Sequence, residues 1–80
     1  MSNLEKYNRA FMELFNLKKE DLGVKLLYQS VDAWDSVGHM ELIAKLESDF
    51  DIMIEMDDVI DFGSYEKGQS ILQKYKVVFD

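Results

Sequence analysis

The sequence contains no cysteine, which excludes a disulfide framework and a thiolate metal site. It also lacks proline, and neither an internal repeat nor a low-complexity linker divides its 80 residues, so we expect one domain, residues 1–80. No apolar run approaches the roughly 18 residues of a membrane span, and the charged N-terminus lacks the apolar centre of a signal peptide. These absences predict a cytoplasmic protein with no membrane span.

Basic residues are scarce: nine Lys and Arg stand against 16 Asp and Glu, and the formal net charge is −7. Nucleic-acid binding needs a basic face, so this balance argues against a nucleic-acid partner. Nine acids but only one base lie between Asp35 and Asp61, which gives that segment a charge of −8 and the rest of the chain +1. The segment is either a solvated acidic face or a docking surface for basic partners. Its spacing does not match a calcium loop, and we predict no metal site.

Apolar spacing predicts an all-α fold, a small four-helix bundle with three longer helices and one short helix. The first helix spans residues 3–15 and is capped by Ser2 or Asn3, and its apolar stripe is more typical of core than of a partner surface. Residues 16–34 form a long loop with at most a short helical turn, and we expect its leucines to pack on the core.

The second helix runs from about Ser36 to Asp49. Apolar and polar residues then alternate from Phe50 to Ile54, which we interpret as an extended connector because a single strand has no partner in this chain. A short third helix covers residues 56–61. The last helix follows Ser64, a natural cap, and Gly68 allows close approach to a neighbouring element.

Ser36 supports three interpretations. Its hydroxyl can cap the second helix, act as a nucleophile with His39 as its base, or accept a group from another enzyme at the positive end of the helix dipole. The nucleophile also needs an oxyanion loop and a third catalytic member, and the chain shows neither. We therefore predict no catalytic residue, and we expect His39 to be half-buried or solvent-facing rather than a ligand.

Val37, Met40 and Ala44 form a small apolar strip beside the core face of the second helix. They belong either to the core or to a binding surface, on which methionine is common because its side chain adapts to different partners.

The segment Asp35-Ser36-Val37, followed by Glu41-Leu42-Ile43, Leu46-Glu47 and Phe50-Asp51-Ile52, resembles the phosphopantetheine attachment site of acyl carrier proteins. The order of the predicted helices agrees with that family over nearly the whole chain. The resemblance implies a non-catalytic, monomeric four-helix carrier that holds acyl or aminoacyl groups as thioesters.

In this family resemblance, Ser36 would bear 4′-phosphopantetheine, transferred from coenzyme A by a phosphopantetheinyl transferase. Asp35 would help to dock that transferase and its metal. The enzymes that load and receive the cargo would use basic patches to contact the acidic carrier. The residues expected to meet them are Val37, Met40, Glu41, Ala44 and Glu47.

The chain differs from housekeeping fatty-acid carriers at Trp34, Val37 and Gly38-His39. These differences favour a specialised discrete carrier that serves a polyketide, peptide, aminoacyl or surface-polymer pathway. The alternative from another class is an unmodified helical interaction domain that has kept the bundle and lost the cofactor.

Overall fold

Four α-helices follow one another along the chain in this computed structural model, which describes residues 1–79. They are α1 (Asn3–Phe15), α2 (Ser36–Phe50), α3 (Met56–Asp61) and α4 (Tyr65–Lys74). Within residues 1–79 there is no strand, and the only β-type pairing is an isolated bridge between Leu27 and Ser64. The predicted all-α fold, with three longer helices and one short helix, is confirmed.

Helix α1 begins and ends where its sequence directs. The Ser2 hydroxyl accepts the Glu5 backbone N–H and the Glu5 carboxylate accepts the Ser2 N–H, which completes a capping box. Asn16 ends the helix in the left-handed conformation, with φ of 55°. Three members of the apolar stripe are buried and two are half-buried, so most of the stripe is core, as predicted. The buried members are Tyr7, Phe11 and Phe15, and the half-buried members are Leu4 and Leu14.

The loop before α2 contains the predicted helical turn, a 3₁₀ segment at Lys19–Asp21. Leu26 is buried, but Leu27 is 47% exposed, so the expectation that all the loop leucines pack on the core is wrong. Leu27 instead pairs with Ser64 in the isolated bridge, which joins this part of the loop to the chain just before α4. Tyr28 N–H donates to the Gly63 carbonyl and Tyr65 N–H donates to the Leu26 carbonyl, both at 2.9 Å.

The connector between α2 and α3 is extended, as predicted, but it begins one residue later than expected. Phe50 is the last residue of α2, and Asp51, with φ of 54°, ends the helix. Ile54 is buried, whereas Phe50 and Ile52 are half-buried. The Glu47 carboxylate accepts the Ile54 N–H at 2.9 Å, which ties the connector back to the helix it leaves.

Aromatic rings fill the centre of the molecule, and Trp34, from the loop, is fully buried among them. Phe15 stacks on Trp34 with 5.5 Å between ring centroids, and Phe11 meets it edge-on at 5.3 Å. Helix α4 fits against this cluster because position 68 is glycine: a Cβ there would overlap the Phe62 ring and the Tyr7 hydroxyl. The predicted close approach at Gly68 is therefore confirmed.

Polar contacts from α4 hold the short helix α3 in place. The buried Asp58 carboxylate accepts hydrogen bonds from Lys74 Nζ at 2.6 Å and from Tyr75 Oη at 2.5 Å. Tyr75 Oη in turn accepts the Glu55 N–H at 2.9 Å. The bonds from Lys74 and Tyr75 hold the pKa of Asp58 below its ordinary value, and the same contacts raise the pKa values of Lys74 and Tyr75.

This arrangement predicts acid-sensitive anchoring of α3. Because the pKa of Asp58 is lower in the folded state than its unfolded value of about 3.9, its stabilisation is present above that value and is lost as pH falls through the folded pKa. Asp58→Asn should lower the melting temperature at neutral pH and flatten its decline below about pH 4. Asp57→Asn, at an exposed position of the same helix, is the control. An Asp58→Asn protein with the wild-type acid profile would contradict this assignment.

Candidate functional site

The Asp35-Ser36 pair begins helix α2, but with roles that differ from the capping interpretation. Asp35 is the N-cap: its backbone is extended and its Oδ1 accepts the Gly38 N–H at 2.8 Å. Ser36 is the first helical residue and is exposed. The interpretation of Ser36 as the cap is therefore wrong, because the carboxylate one residue earlier takes that bond. The serine hydroxyl is presented to solvent at the positive end of the helix dipole.

Gly38 allows the preceding loop to pass closely over the first turn of α2. A Cβ at this position would overlap the carbonyl oxygen of Ala33 and press on the ring of Phe15. Trp34 lies in a turn of this loop. Its N–H donates to the Val31 carbonyl, and its own carbonyl accepts the Gln29 N–H. From the sequence, Gly38 only lowers helix propensity, whereas in the fold it allows the Ala33 carbonyl to lie close to the first turn of α2.

A chain of side-chain hydrogen bonds runs from the loop through α2 to α3. Trp34 Nε1 donates to His39 Nδ1 at 2.9 Å, and His39 Nε2 lies 2.8 Å from the Val59 carbonyl oxygen. An indole N–H can only donate, so Nδ1 must offer its lone pair. The ring hydrogen is then on Nε2, which donates to Val59. These two contacts assign the neutral Nε2–H tautomer to His39.

These bonds decide what His39 can do for Ser36. Both ring nitrogens have partners, Trp34 and Val59, so the imidazole has no lone pair to offer the serine hydroxyl. The nucleophile interpretation, which used His39 as the base, is not supported by this geometry. His39 is half-buried, as predicted, and its position in the fold is between the loop and α3.

A cleft of about 350 Å³ opens beside Ser36, between the start of α2, helix α3 and the end of the loop. Its lining contains no charged side chain. Apolar residues dominate it, with Tyr28, Ser36 and His39 as the polar members. The lining residues are Tyr28, Ser36, His39, Met40, Met56, Val59, Ile60, Phe62 and Gly63.

The α3 side of this cleft is the part that the sequence did not predict. Met56 and Ile60 are 65% and 73% exposed, while Val59 between them is buried. The sequence signal was the four-residue separation of Met56 and Ile60, which lie on a helix too short to show a clear apolar stripe.

The expected partner surface is mostly on the outside of α2. Val37 is 67% exposed and Met40 52% exposed, and Ala44 and Glu41 are exposed beside them, so the small apolar strip is surface rather than core. Glu47 is different: it is half-buried, and its carboxylate is engaged by the Ile54 N–H. Four of the five expected residues are therefore exposed on α2, and the fifth makes a structural contact.

The acidic segment contains acids with several local roles. Asp35 caps α2, Asp58 bonds to α4, and Asp49 pairs with Lys45 at 3.3 Å. Glu41, Asp57 and Asp61 are exposed around the apolar residues of α2 and α3. Over residues 1–79, no three Asp, Glu, His or Cys side chains come together as a metal site would require.

The chain matches no protein-family model, and no curated protein aligns with it at significant similarity. In the part of the chain that the structure describes, no helix has both the length and the apolarity needed to cross a membrane.

The Trp34–His39 hydrogen bond predicts coupling between these two residues. His39→Phe keeps a ring but leaves the buried indole N–H without an acceptor, which should cost about 1–3 kcal/mol of unfolding free energy. On a Trp34→Phe background there is no indole N–H, so the same change should cost less. Urea denaturation followed by circular dichroism measures the cycle without using the single tryptophan. Costs that add within about 0.5 kcal/mol would contradict the coupling.

Proposed function

We propose that this protein is a carrier that bears 4′-phosphopantetheine on Ser36 and presents acyl or aminoacyl groups to partner enzymes. The observation that supports this most directly is the exposed Ser36 hydroxyl at the first residue of α2, with the neighbouring carboxylate already used as the helix cap. The surrounding segment has the residue pattern that resembles the attachment site of acyl carrier proteins.

The start of α2 fits a phosphodiester. The first turn of a helix offers backbone N–H groups and a positive dipole end to an anion. On modification, Ser36 Oγ would form a bond to phosphorus, while the P–O–P bond of coenzyme A breaks and its nucleotide half leaves. The attached group supplies a thiol that holds cargo as a thioester. The protein itself would supply no catalytic group, and partner enzymes would perform the chemistry.

Asp35 has acceptor capacity beyond its capping bond. Its Oδ1 accepts the Gly38 N–H, and a carboxylate can accept about four hydrogen bonds or metal contacts. The exposed side chain is therefore suited to help dock a transferase and its metal, beside the hydroxyl to be modified.

The outer face of α2 suits a partner with a basic patch. Val37, Met40 and Ala44 provide an apolar centre, and Glu41 provides a charge at its edge. Interfaces of this kind use the apolar centre for affinity and the rim charges for encounter rate and specificity. Glu47 would contribute less than the sequence suggested, because its carboxylate already holds the connector.

A second candidate function is an unmodified interaction domain. The exposed apolar residues Met40, Met56 and Ile60 around the cleft favour it, since such patches often mark protein-binding sites. Only the carrier requires a reactive serine, so covalent modification separates the two functions.

Incubation with coenzyme A and a promiscuous phosphopantetheinyl transferase should add one phosphopantetheine to the wild-type protein, as measured by intact-mass spectrometry. Ser36→Ala should abolish the addition and leave helical content unchanged, because Asp35 provides the cap. Ser48→Ala, at an exposed serine of the same helix, should be modified normally. Addition to Ser36→Ala would refute this site, and a wild-type protein that is never modified would favour the interaction domain.

Charge reversal tests the docking surface. Glu41→Lys should slow association with the transferase several-fold at low salt, and the effect should shrink as salt screens charges over a Debye length of about 10 Å at 0.1 M. Glu20→Lys makes the same net charge change at an exposed position outside the acidic segment, and it should associate nearly as wild type. Stopped-flow association at several salt concentrations provides the measurement. Equal rates for the two variants would show that Glu41 belongs to a merely solvated face.

A further inference from the structure

His39 is the only histidine of the chain, and its side chain joins two other elements in one specific arrangement of protons. Its Nδ1 accepts the Trp34 indole N–H at 2.9 Å, and its Nε2–H donates to the Val59 carbonyl at 2.8 Å. Imidazole ordinarily changes its charge between about pH 5 and about pH 8. The loop, α2 and α3 are therefore connected through a group that can gain a proton under mild conditions.

Protonation of His39 would affect its two hydrogen bonds differently. The neutral ring already carries a hydrogen on Nε2, so the added proton goes to Nδ1, and the imidazolium then has a hydrogen on both nitrogens and no acceptor. The hydrogen on Nδ1 would point at the hydrogen of the Trp34 indole, so that bond would be lost. The bond to the Val59 carbonyl would remain and become charge-assisted. Protonation thus breaks the contact with the loop and keeps the contact with α3.

Nothing in the arrangement of the two rings compensates for the lost bond. Trp34 is fully buried, and a buried N–H without an acceptor is costly. The indole and imidazole planes lie within 17° of parallel with 6.2 Å between their centroids, and the hydrogen bond joins their edges. An imidazolium would therefore meet the positive edge of the indole and not the negative face that a cation–π contact requires.

The other groups around His39 keep their charge in this pH range. From the loop, the Tyr28 ring meets the imidazole edge-on with 5.4 Å between centroids, and tyrosine ordinarily loses its proton only at about pH 10. The Phe62 ring, between α3 and α4, is uncharged and lies 5.9 Å away by the same measure. Carboxylates at the start of α2 and on α3 ordinarily titrate at about pH 4. These are Asp35, Asp58 and Asp61.

We propose that His39 is an acid-sensitive switch: when it gains a proton, the bond from the Trp34 indole breaks and the loop before Ser36 loosens from α2, while α3 stays attached. His39 is half-buried and lines the open cleft, so protons from solvent reach it. The turn that would lose its support is closed by the Gln29 N–H on the Trp34 carbonyl and by the Trp34 N–H on the Val31 carbonyl. This inference goes beyond the carrier function and does not depend on modification of Ser36.

The experiment follows the unmodified, isotope-labelled wild-type protein by NMR from about pH 8 to about pH 5. The single tryptophan gives one indole N–H signal, which should shift with the same midpoint as the ring signals of His39. Amide exchange at Gln29 and Trp34, corrected for its intrinsic pH dependence, should rise several-fold over this range. Exchange at Val59, whose N–H donates to the Glu55 carbonyl within α3, should change little. An indole signal that stays constant while His39 titrates, or an equal rise at Val59, would overturn the inference.

His39→Gln separates the proton from the contacts. A glutamine amide has an acceptor oxygen and a donor nitrogen, so it can serve both Trp34 and Val59, but it does not gain a proton in this range. Its indole signal and its loop exchange should stay constant, and a wild-type response in this variant would overturn the inference. Trp34→Phe removes the indole donor, so its loop exchange should no longer follow the titration of His39, and a loop that still follows it would have the same consequence. The comparison of midpoints in the wild-type protein remains decisive even if neither variant folds.

Discussion

The buried indole of Trp34 imposes the constraint on which the rest of this structure depends. Its N–H lies in the aromatic core and requires an acceptor, which His39 Nδ1 provides. That bond assigns the imidazole tautomer, and the tautomer in turn provides the donor that reaches the Val59 carbonyl. A single buried donor thus relates three elements: the loop, α2 and α3. The surface around Ser36 is formed by the outward-facing residues of these three elements.

The helices could be predicted from the sequence because their signals are local. The stripe through Tyr7 and Phe11 and the capping residues Ser2 and Ser64 act within a few positions of one another. The end of α2 was missed by one residue, since Phe50 starts an alternating pattern and nothing local shows that Asp51 adopts the left-handed conformation. A similar ambiguity explains why the sequence suggested Ser36 as the cap and not Asp35, since both residue types favour the N-cap position.

The candidate site was only half predictable, for a physical reason. The α2 side of it, Ser36 and Met40, follows from one helix and its exposed face. The α3 side depends on contacts between residues far apart in sequence, such as His39 with Val59. Residue spacing along the sequence does not predict such contacts. Even the role of Gly38 required the loop to be in place, since the backbone that a side chain would strike belongs to Ala33.

The two backbone bonds between the loop and the start of α4 have a consequence for the order of folding. Tyr28 with Gly63, and Leu26 with Tyr65, join segments that lie on either side of α2 and α3 in the sequence. Closing so large a loop costs conformational entropy. The contacts that offset this cost form only when both ends of the loop are present. During synthesis on the ribosome, the surface around Ser36 can therefore not be completed until residues up to Tyr65 have emerged. A partner that contacts this surface would therefore bind only chains that extend at least to Tyr65.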